Sequence, residues 1–282
     1  MPLFYRSFLL CWFLLGILFG ERVAFCSDTV EQKWFSRGIV AADHPAAAEA
    51  GLTILKQGGN AVDAAVATSF ALSVVRPGSC GIGGGGFMVV WLAEEEKAVV
   101  LDYRERAPAA ATRDMFQPGR YDHHPAELNR SRVGGLAVGI PGTVAGLCQA
   151  QEQYGQLTLK EVLAPVIELC KQGIPLDHHA REEQQDLIEL FNRYPGLKSR
   201  FDSLWHDYLN RGIPWTDQSR FYSSQLPVLE KIAEQGPAGF YTGEVAKAIV
   251  ETSRRSGGIL TLQDLAEYKP VERKPLTGEF QG

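Results

Sequence analysis

The fifteen residues Ala61–Val75, AVDAAVATSFALSVV, constrain the fold more than any other stretch of the chain. They are apolar on nearly every side of a predicted helix, so this helix should be central and buried. Asn60 is suited to cap its start, with Asp63 three residues further on. An alanine-rich helix is predicted just before it, beginning at Pro45 and stopping at the glycine pair 58–59.

A glycine-rich turn follows the central helix, within RPGSCGIGGGGFMVVW. Gly81, Gly83 and Gly86 match G-x-G-x-x-G, the string associated with dinucleotide binding. In such sites a strand leads into the glycines and a helix leaves them, whereas here a helix enters and a strand leaves. We therefore interpret the glycines as steric: they allow close backbone approach and positive φ where the chain turns into a sheet.

Two β-prone apolar runs come next, Phe87–Leu92 and Ala98–Tyr103, separated by a polar turn. Continuous apolar runs predict a hairpin that is buried on both faces. Arg104 stands at the C-terminal end of the second run. Its guanidinium can hold a carboxylate through two parallel hydrogen bonds. The alternative is an ion pair with Asp102 or Glu105, or a solvated strand end.

Charge and composition argue against several function classes. The formal net charge is −5 and no long basic run occurs, so a nucleic-acid partner is not expected. Cys80, Cys148 and Cys170 form no C-x-x-C motif, and no base motif accompanies Cys80 as a nucleophile. The histidine pairs at 123–124 and 178–179 lack the H-E-x-x-H spacing, so no metal site is predicted.

The first 26 residues have the pattern of an export signal. Arg6 precedes the apolar run Phe8–Phe19, which is too short to span a bilayer comfortably. We expect cleavage near residues 24–27, and the alternative is an uncleaved N-terminal anchor. The protein is thus expected to be exported: periplasmic, extracellular or attached to the outer side of a membrane. Residues 27–282 are then the functional domain.

Several motifs in a fixed order carry a family resemblance from Gly38 to Gly282. They resemble the large-subunit portion of the γ-glutamyltranspeptidases (glutathione hydrolases). The motifs are GIVAADHPAAAEAGLTILKQGGNAVDAAVA, GSCGIGGGGFMVVW, LDYRERAPAAATRDMF, GIPGTVAGL and GGILTLQDLAEYKPVERKPLTGEF.

The resemblance implies an α+β fold of the N-terminal-nucleophile hydrolase type, an αββα sandwich that we expect to be incomplete in this chain. In that family a precursor cuts itself, and the new N-terminal Thr of the small subunit attacks a γ-glutamyl amide. The acyl group passes to water or to an amino-acid or peptide acceptor, without a metal or organic cofactor. By motif, Arg104 resembles the arginine that binds the substrate's α-carboxylate. Glutathione and related γ-glutamyl compounds are the implied substrates.

The sequence departs from the family pattern at the nucleophile. It contains no Thr-Thr or Thr-His pair, so no catalytic residue is assigned here. We expect a truncated large subunit that is inactive without a small subunit carrying the Thr. Two alternatives stay open: an acylase or amidohydrolase relative of the same fold, such as a cephalosporin acylase, and a non-catalytic fragment.

Overall fold

The predicted central helix is the element around which the other helices pack. The computed structural model describes residues 35, 38–117 and 130–281. The central helix spans Ala61–Val75, and eleven of its fifteen residues are buried, so it contacts neighbours on nearly every side. Its predicted start is confirmed, because Asn60 and Asp63 form a reciprocal capping box. Fully buried side chains such as Phe70 each stabilise the fold by about 1.5–3 kcal/mol.

Ten helices and five strands follow one another along the described residues, together with short 3₁₀ and π turns. The elements are α1 (Pro45–Lys56), α2 (Ala61–Val75), β1 (Phe87–Leu92), β2 (Lys97–Asp102), α3 (Thr143–Tyr154), α4 (Leu159–Gln172), β3 (Ile174–Pro175), α5 (His178–Arg193), α6 (Gly196–Arg200), β4 (Arg220–Phe221), α7 (Leu226–Gln235), α8 (Ala238–Tyr241), α9 (Gly243–Arg255), α10 (Leu262–Glu267) and β5 (Val271–Arg273). Helix α2 contacts α1, α3 and α4, and α4 contacts α7.

The main sheet has the strand order β1-β2-β5, with both pairs antiparallel. Phe87 pairs with Asp102, and Asp102 also pairs with Val271 on the other side. Helix α3 covers one face of this sheet, where Val99 and Leu101 of β2 are buried. The predicted hairpin is therefore confirmed.

The prediction that the hairpin is buried on both faces is wrong for β1. The side chains of Phe87, Val89 and Trp91 are 56%, 69% and 64% exposed. They alternate with half-buried neighbours, as expected for a strand whose second face has no cover. The reason is that the described residues supply a helical layer to one face of the sheet only.

Two further predictions concern the N-terminal residues and the extent of the domain. The predicted export signal lies outside the described residues. From Gly38 onward the chain forms one compact unit, and the domain assignment 27–282 stays a prediction. None of the helices in the described ranges is long and apolar enough to cross a membrane.

A buried arginine joins the start of α1, the end of α2 and the start of α5. The Arg76 side chain is 7% exposed and donates two hydrogen bonds to Asp177, at 3.1 and 2.6 Å. It also pairs with Asp43 at 3.1 Å. Asp177 in turn caps α5 by accepting from the Ala180 N–H. One guanidinium thus links three helix ends, because its buried N–H groups must find their hydrogen-bond acceptors within the protein.

Replacing Asp177 by alanine should destabilise the protein at pH 7 by about 1–3 kcal/mol, because the buried Arg76 guanidinium loses two of its hydrogen bonds and keeps those to Asp43. Urea unfolding measures the difference. Glu49→Ala is the matched control, since it breaks an ion pair with Lys56 in which both side chains are 64% exposed. That variant should change the unfolding free energy by less than about 1 kcal/mol.

The same pair predicts a pH dependence. The Arg76 hydrogen bonds lower the pKa of Asp177 from 3.8 to about 2. The stabilisation is therefore fully present above pH 3.8 and is lost as the pH falls towards 2. Asp177→Ala should lose this component of the acid transition, and an identical acid dependence in both proteins would contradict the assignment.

Candidate functional site

The glycine turn lies between the end of α2 and the start of β1, in the order that the sequence predicts. The steric interpretation is confirmed at Gly85, where a Cβ atom would lie 2.5 Å from the Tyr103 carbonyl oxygen and 2.7 Å from the Glu105 nitrogen. The expected positive φ is wrong, because none of the glycines 81–86 adopts one. These glycines are required for close backbone approach rather than for left-handed conformation.

The turn is bonded to both of its neighbours. The Gly84 carbonyl accepts from the N–H groups of Gly142 and Thr143, at 2.8 and 3.0 Å, where α3 begins. Gly86 and Tyr103 exchange backbone hydrogen bonds at 3.3 and 2.9 Å. The glycine turn therefore connects the end of β2 to the start of α3.

A second backbone exchange closes the arrangement. Arg106 and Ile140 form an isolated antiparallel bridge, with N–H···O distances of 3.3 and 2.7 Å. We call residues 84–86, 103–106 and 140–143 the Arg104 junction. The junction holds the residue that the sequence singles out for carboxylate binding.

Arg104 lies two residues after Asp102, the last residue of β2, and its side chain is 59% exposed. Its backbone N–H donates to Asp102 Oδ1 at 3.0 Å. That contact, together with the Arg273 guanidinium, lowers the pKa of Asp102. The Arg104 Nε lies 3.5 Å from Glu105 Oε2, which is the ion pair foreseen as the alternative. Substrate binding by Arg104 stays a prediction.

Glu105 lies beneath the glycine turn. Its Oε2 atom is buried and accepts no hydrogen bond from the described residues, so the ion pair with Arg104 is its polar contact. Neither terminal nitrogen of the Arg104 guanidinium makes a hydrogen bond within the described part of the chain. These two nitrogens are ones that a bidentate carboxylate can use.

Two tyrosines that no sequence pattern singles out border the junction. The Tyr268 hydroxyl donates to the Arg104 carbonyl at 2.9 Å, and the Tyr241 hydroxyl donates to the Pro141 carbonyl at 2.8 Å. The bonded residues are 164 and 100 positions apart. Local periodicity carries no information on contacts of that separation. The resemblance includes the stretch that contains Tyr268 and gives it no role.

A cavity of about 980 Å³ lies beside the junction, and Arg104 does not line it. Its lining is predominantly apolar. It comprises Ile82, Gly83, Arg132, Val133, Gly134, Ala137, Val138, Pro141, Leu187, Leu190, Phe191, Leu197, Phe201, Leu204, Val228, Phe240, Glu244, Val245, Ala248, Ile249, Thr252, Ser253, Ser256 and Leu260. The predicted carboxylate site and this apolar cavity are therefore separate places.

Two of the three described cysteines are buried thiols. Burial raises the pKa of the Cys148 thiol to about 12 and that of Cys170 to about 11, so both stay protonated. Cys80 is half-buried, and its sulfur contacts the Ser79 hydroxyl at 3.6 Å. The described residues contain no cluster of His, Cys, Asp or Glu that could hold a metal ion. The histidine pair at 123–124 lies outside them.

Comparisons with known proteins agree on one family. The Gamma-glutamyltranspeptidase family profile matches residues 47–282. The glutathione hydrolase proenzyme of Escherichia coli K12 is 37% identical over 248 residues, which are 87% of this chain and 41% of that protein. The chain spans about two fifths of the length of the curated relatives it matches, those of Bacillus subtilis and Pseudomonas aeruginosa included.

Solved structures show the same likeness. The γ-glutamyltranspeptidase of Helicobacter pylori superimposes with a TM-score of 0.77 at 37% identity, covering 89% of this chain and 69% of that one. The cephalosporin acylase of Bacillus halodurans gives a TM-score of 0.75 at 29% identity, covering 91% of this chain and 48% of that one. The predicted fold class, α+β of the N-terminal-nucleophile hydrolase type, is confirmed.

Gly85→Ala should destabilise the Arg104 junction by about 1–3 kcal/mol, because the new methyl group meets main-chain atoms that cannot move aside. Gly83→Ala is the matched control in the same turn, since a Cβ there meets nothing within 4 Å and its φ is not positive. Thermal unfolding of the two variants measures the difference. Equal melting temperatures would contradict the close approach at Gly85.

Proposed function

Because the chain belongs to the γ-glutamyltranspeptidase family, we propose that it forms the substrate-binding part of an amide hydrolase and acyltransferase. The proposed substrates are glutathione and related γ-glutamyl compounds. The family match over residues 47–282 and the 37% identity to the Escherichia coli enzyme support this reading. Water and amino-acid or peptide acceptors would receive the glutamyl group.

Arg104 is the proposed anchor for the α-carboxylate of the glutamyl group. Its exposed guanidinium, with two terminal nitrogens not hydrogen-bonded to described residues, supports this role. A carboxylate held by these two nitrogens fixes the amino-acid end of the substrate. The γ-amide then lies at a fixed distance from Arg104. The observation that carries the proposal is the position of this arginine just after β2, where the end of the strand is hydrogen-bonded to the glycine turn.

Cleavage of the amide requires a nucleophile. This sequence contains no Thr-Thr or Thr-His pair, which is the family's pattern at the nucleophile. In the proposed reaction, the Thr hydroxyl oxygen attacks the amide carbon while the α-amine of that Thr takes the proton. Backbone N–H groups stabilise the tetrahedral oxyanion. The amine of the cleaved amide bond then takes up a proton and leaves. Water or an acceptor amine then releases the acyl group. The Thr would come from a partner segment, the small subunit.

The uncovered apolar surface supports such a partner. Phe87, Val89 and Trp91 present an exposed apolar row on β1, which is an edge strand of the sheet among the described residues. Contiguous exposed apolar area of this kind usually marks an interaction surface. With residues 1–26 as an export signal, the assembled enzyme would act outside the cytoplasm.

A second candidate is an acylase with a different acyl group. The likeness to the Bacillus halodurans cephalosporin acylase supports it, since 91% of this chain is covered at a TM-score of 0.75. Substrate choice distinguishes the two, because an arginine anchor favours acyl groups that carry a carboxylate.

The 282-residue chain alone should not release the aniline from a γ-glutamyl anilide, because it lacks the nucleophile. A chimera should do so, in which residues 38–282 replace the matched region of the Escherichia coli relative and the rest of that protein supplies the Thr. Absorbance of the released aniline follows both reactions. Release by the chain alone would contradict the partner requirement. A folded chimera that cleaves other acyl anilides and not γ-glutamyl anilide would favour the acylase reading.

In the chimera, Arg104→Ala should raise KM for γ-glutamyl anilide by roughly 10- to 150-fold, the equivalent of one charge-assisted hydrogen-bonded contact of about 1.5–3 kcal/mol. Arg254→Ala is the matched control, because Arg254 is also exposed and also pairs with a nearby acid, Glu251. Steady-state kinetics should show no change in the control. An unchanged KM in the Arg104 variant would remove that residue from the substrate site.

A further inference from the structure

We propose that Tyr268 is a positioning residue for Arg104, whose hydroxyl fixes the Arg104 backbone so that the guanidinium faces the substrate. This inference rests on the proposed function, because it presumes that Arg104 binds the α-carboxylate. It assigns to the reaction a residue from the far end of the chain, contributed just after α10 rather than by the sheet.

Backbone-to-backbone hydrogen bonding is interrupted at Arg104 and resumes on either side of it. Tyr103 exchanges hydrogen bonds with Gly86, and Arg106 exchanges them with Ile140. Between these two exchanges, side chains hold the Arg104 backbone: Asp102 accepts from its N–H and Tyr268 donates to its carbonyl. The tyrosine hydroxyl therefore takes the place that a neighbouring strand would otherwise fill.

The Arg104 side chain has little to fix it. It is 59% exposed, and its ion pair with Glu105 at 3.5 Å is too long for a strong hydrogen bond. Its average position therefore depends mainly on where its own backbone is held. Small displacements of a binding group from the productive geometry weaken substrate binding strongly.

Tyr268 itself is held firmly. Its ring is 8% exposed and stacks on Tyr241, with centroids 6.0 Å apart and planes at 6°. Tyr241 is bonded to the start of α3, donating to the Pro141 carbonyl and accepting from the Ala145 N–H at 3.2 Å. The Arg106 guanidinium lies 5.6 Å from the Tyr268 ring centroid.

The hydroxyl occupies a niche that a glycine leaves open. A Cβ atom on Gly142 would overlap the Tyr268 hydroxyl and the Tyr103 carbonyl. Burial raises the pKa of Tyr268 to about 12, so the hydroxyl stays a donor throughout the working pH range. Ring and hydroxyl thus have separate roles: the ring packs the junction, and the hydroxyl holds one carbonyl.

The separation of roles makes Tyr268→Phe the informative variant, because it keeps the stacked ring and removes the hydroxyl. In the chimera it should raise KM for γ-glutamyl anilide by about 3- to 10-fold, because Arg104 is less well positioned, with kcat nearly unchanged and the melting temperature lowered by only a few degrees through the loss of one neutral hydrogen bond. Tyr208→Phe is the matched control, since Tyr208 is also buried and its hydroxyl bonds Glu183 at 3.2 Å in another aromatic cluster.

A double-mutant cycle with Arg104→Ala tests whether the effect passes through Arg104. If it does, Tyr268→Phe changes KM in the parent and causes no further change once Arg104 is gone. Equal fold-changes in both backgrounds, or no change in the parent, would overturn the inference and leave the proposed function standing. No effect of Arg104→Ala on KM would instead overturn the proposed function, and this inference with it.

Hydrogen exchange on the 282-residue chain gives a readout that needs no activity. Tyr268→Phe should speed exchange of the Arg106 and Ile140 amides, which bond each other's carbonyls beside Arg104, and leave the α2 amides unchanged. Unchanged exchange at Arg106 and Ile140, or faster exchange throughout α2, would contradict a local positioning role.

Discussion

The close approach of the glycine turn to the end of β2 is the contact on which the rest of the site depends. Only a residue without a side chain fits at Gly85, where the Tyr103 carbonyl and the Glu105 nitrogen lie within van der Waals reach. That approach brings the Gly84 carbonyl to the first N–H groups of α3. The turn follows the buried helix α2, which is packed on nearly every side.

The junction combines a rigid backbone with an accessible charge. Its backbone groups are paired across three elements, whereas the Arg104 guanidinium is largely exposed. A rigid backbone and a solvent-accessible guanidinium together suit a residue that must bind a dissolved anionic substrate. The Tyr268 hydroxyl, with its ring stacked on Tyr241, holds the Arg104 carbonyl, which strand pairing does not reach.

Sequence reasoning succeeded where the signal is local. The helix Ala61–Val75 and its capping box were predictable because residues within a few positions define them. The hairpin's existence followed from its apolar runs, but its two-sided burial did not, because burial depends on what covers each face. The glycines illustrate the same limit, since one composition suits either positive φ or close approach. Tyr268 could not be found locally, because its partner is 164 residues away.

The central claim is that Arg104 binds the α-carboxylate, and it is tested most directly by removing the carboxylate from the substrate instead of the arginine from the protein. The measurement compares kcat/KM of the chimera for γ-glutamyl anilide and for 4-aminobutyryl anilide, which lacks that group, with Arg104 present and with Arg104→Ala. If Arg104 binds the α-carboxylate, the chimera strongly prefers the γ-glutamyl compound, and this preference nearly disappears without the arginine. A preference of the same size in both proteins would contradict it.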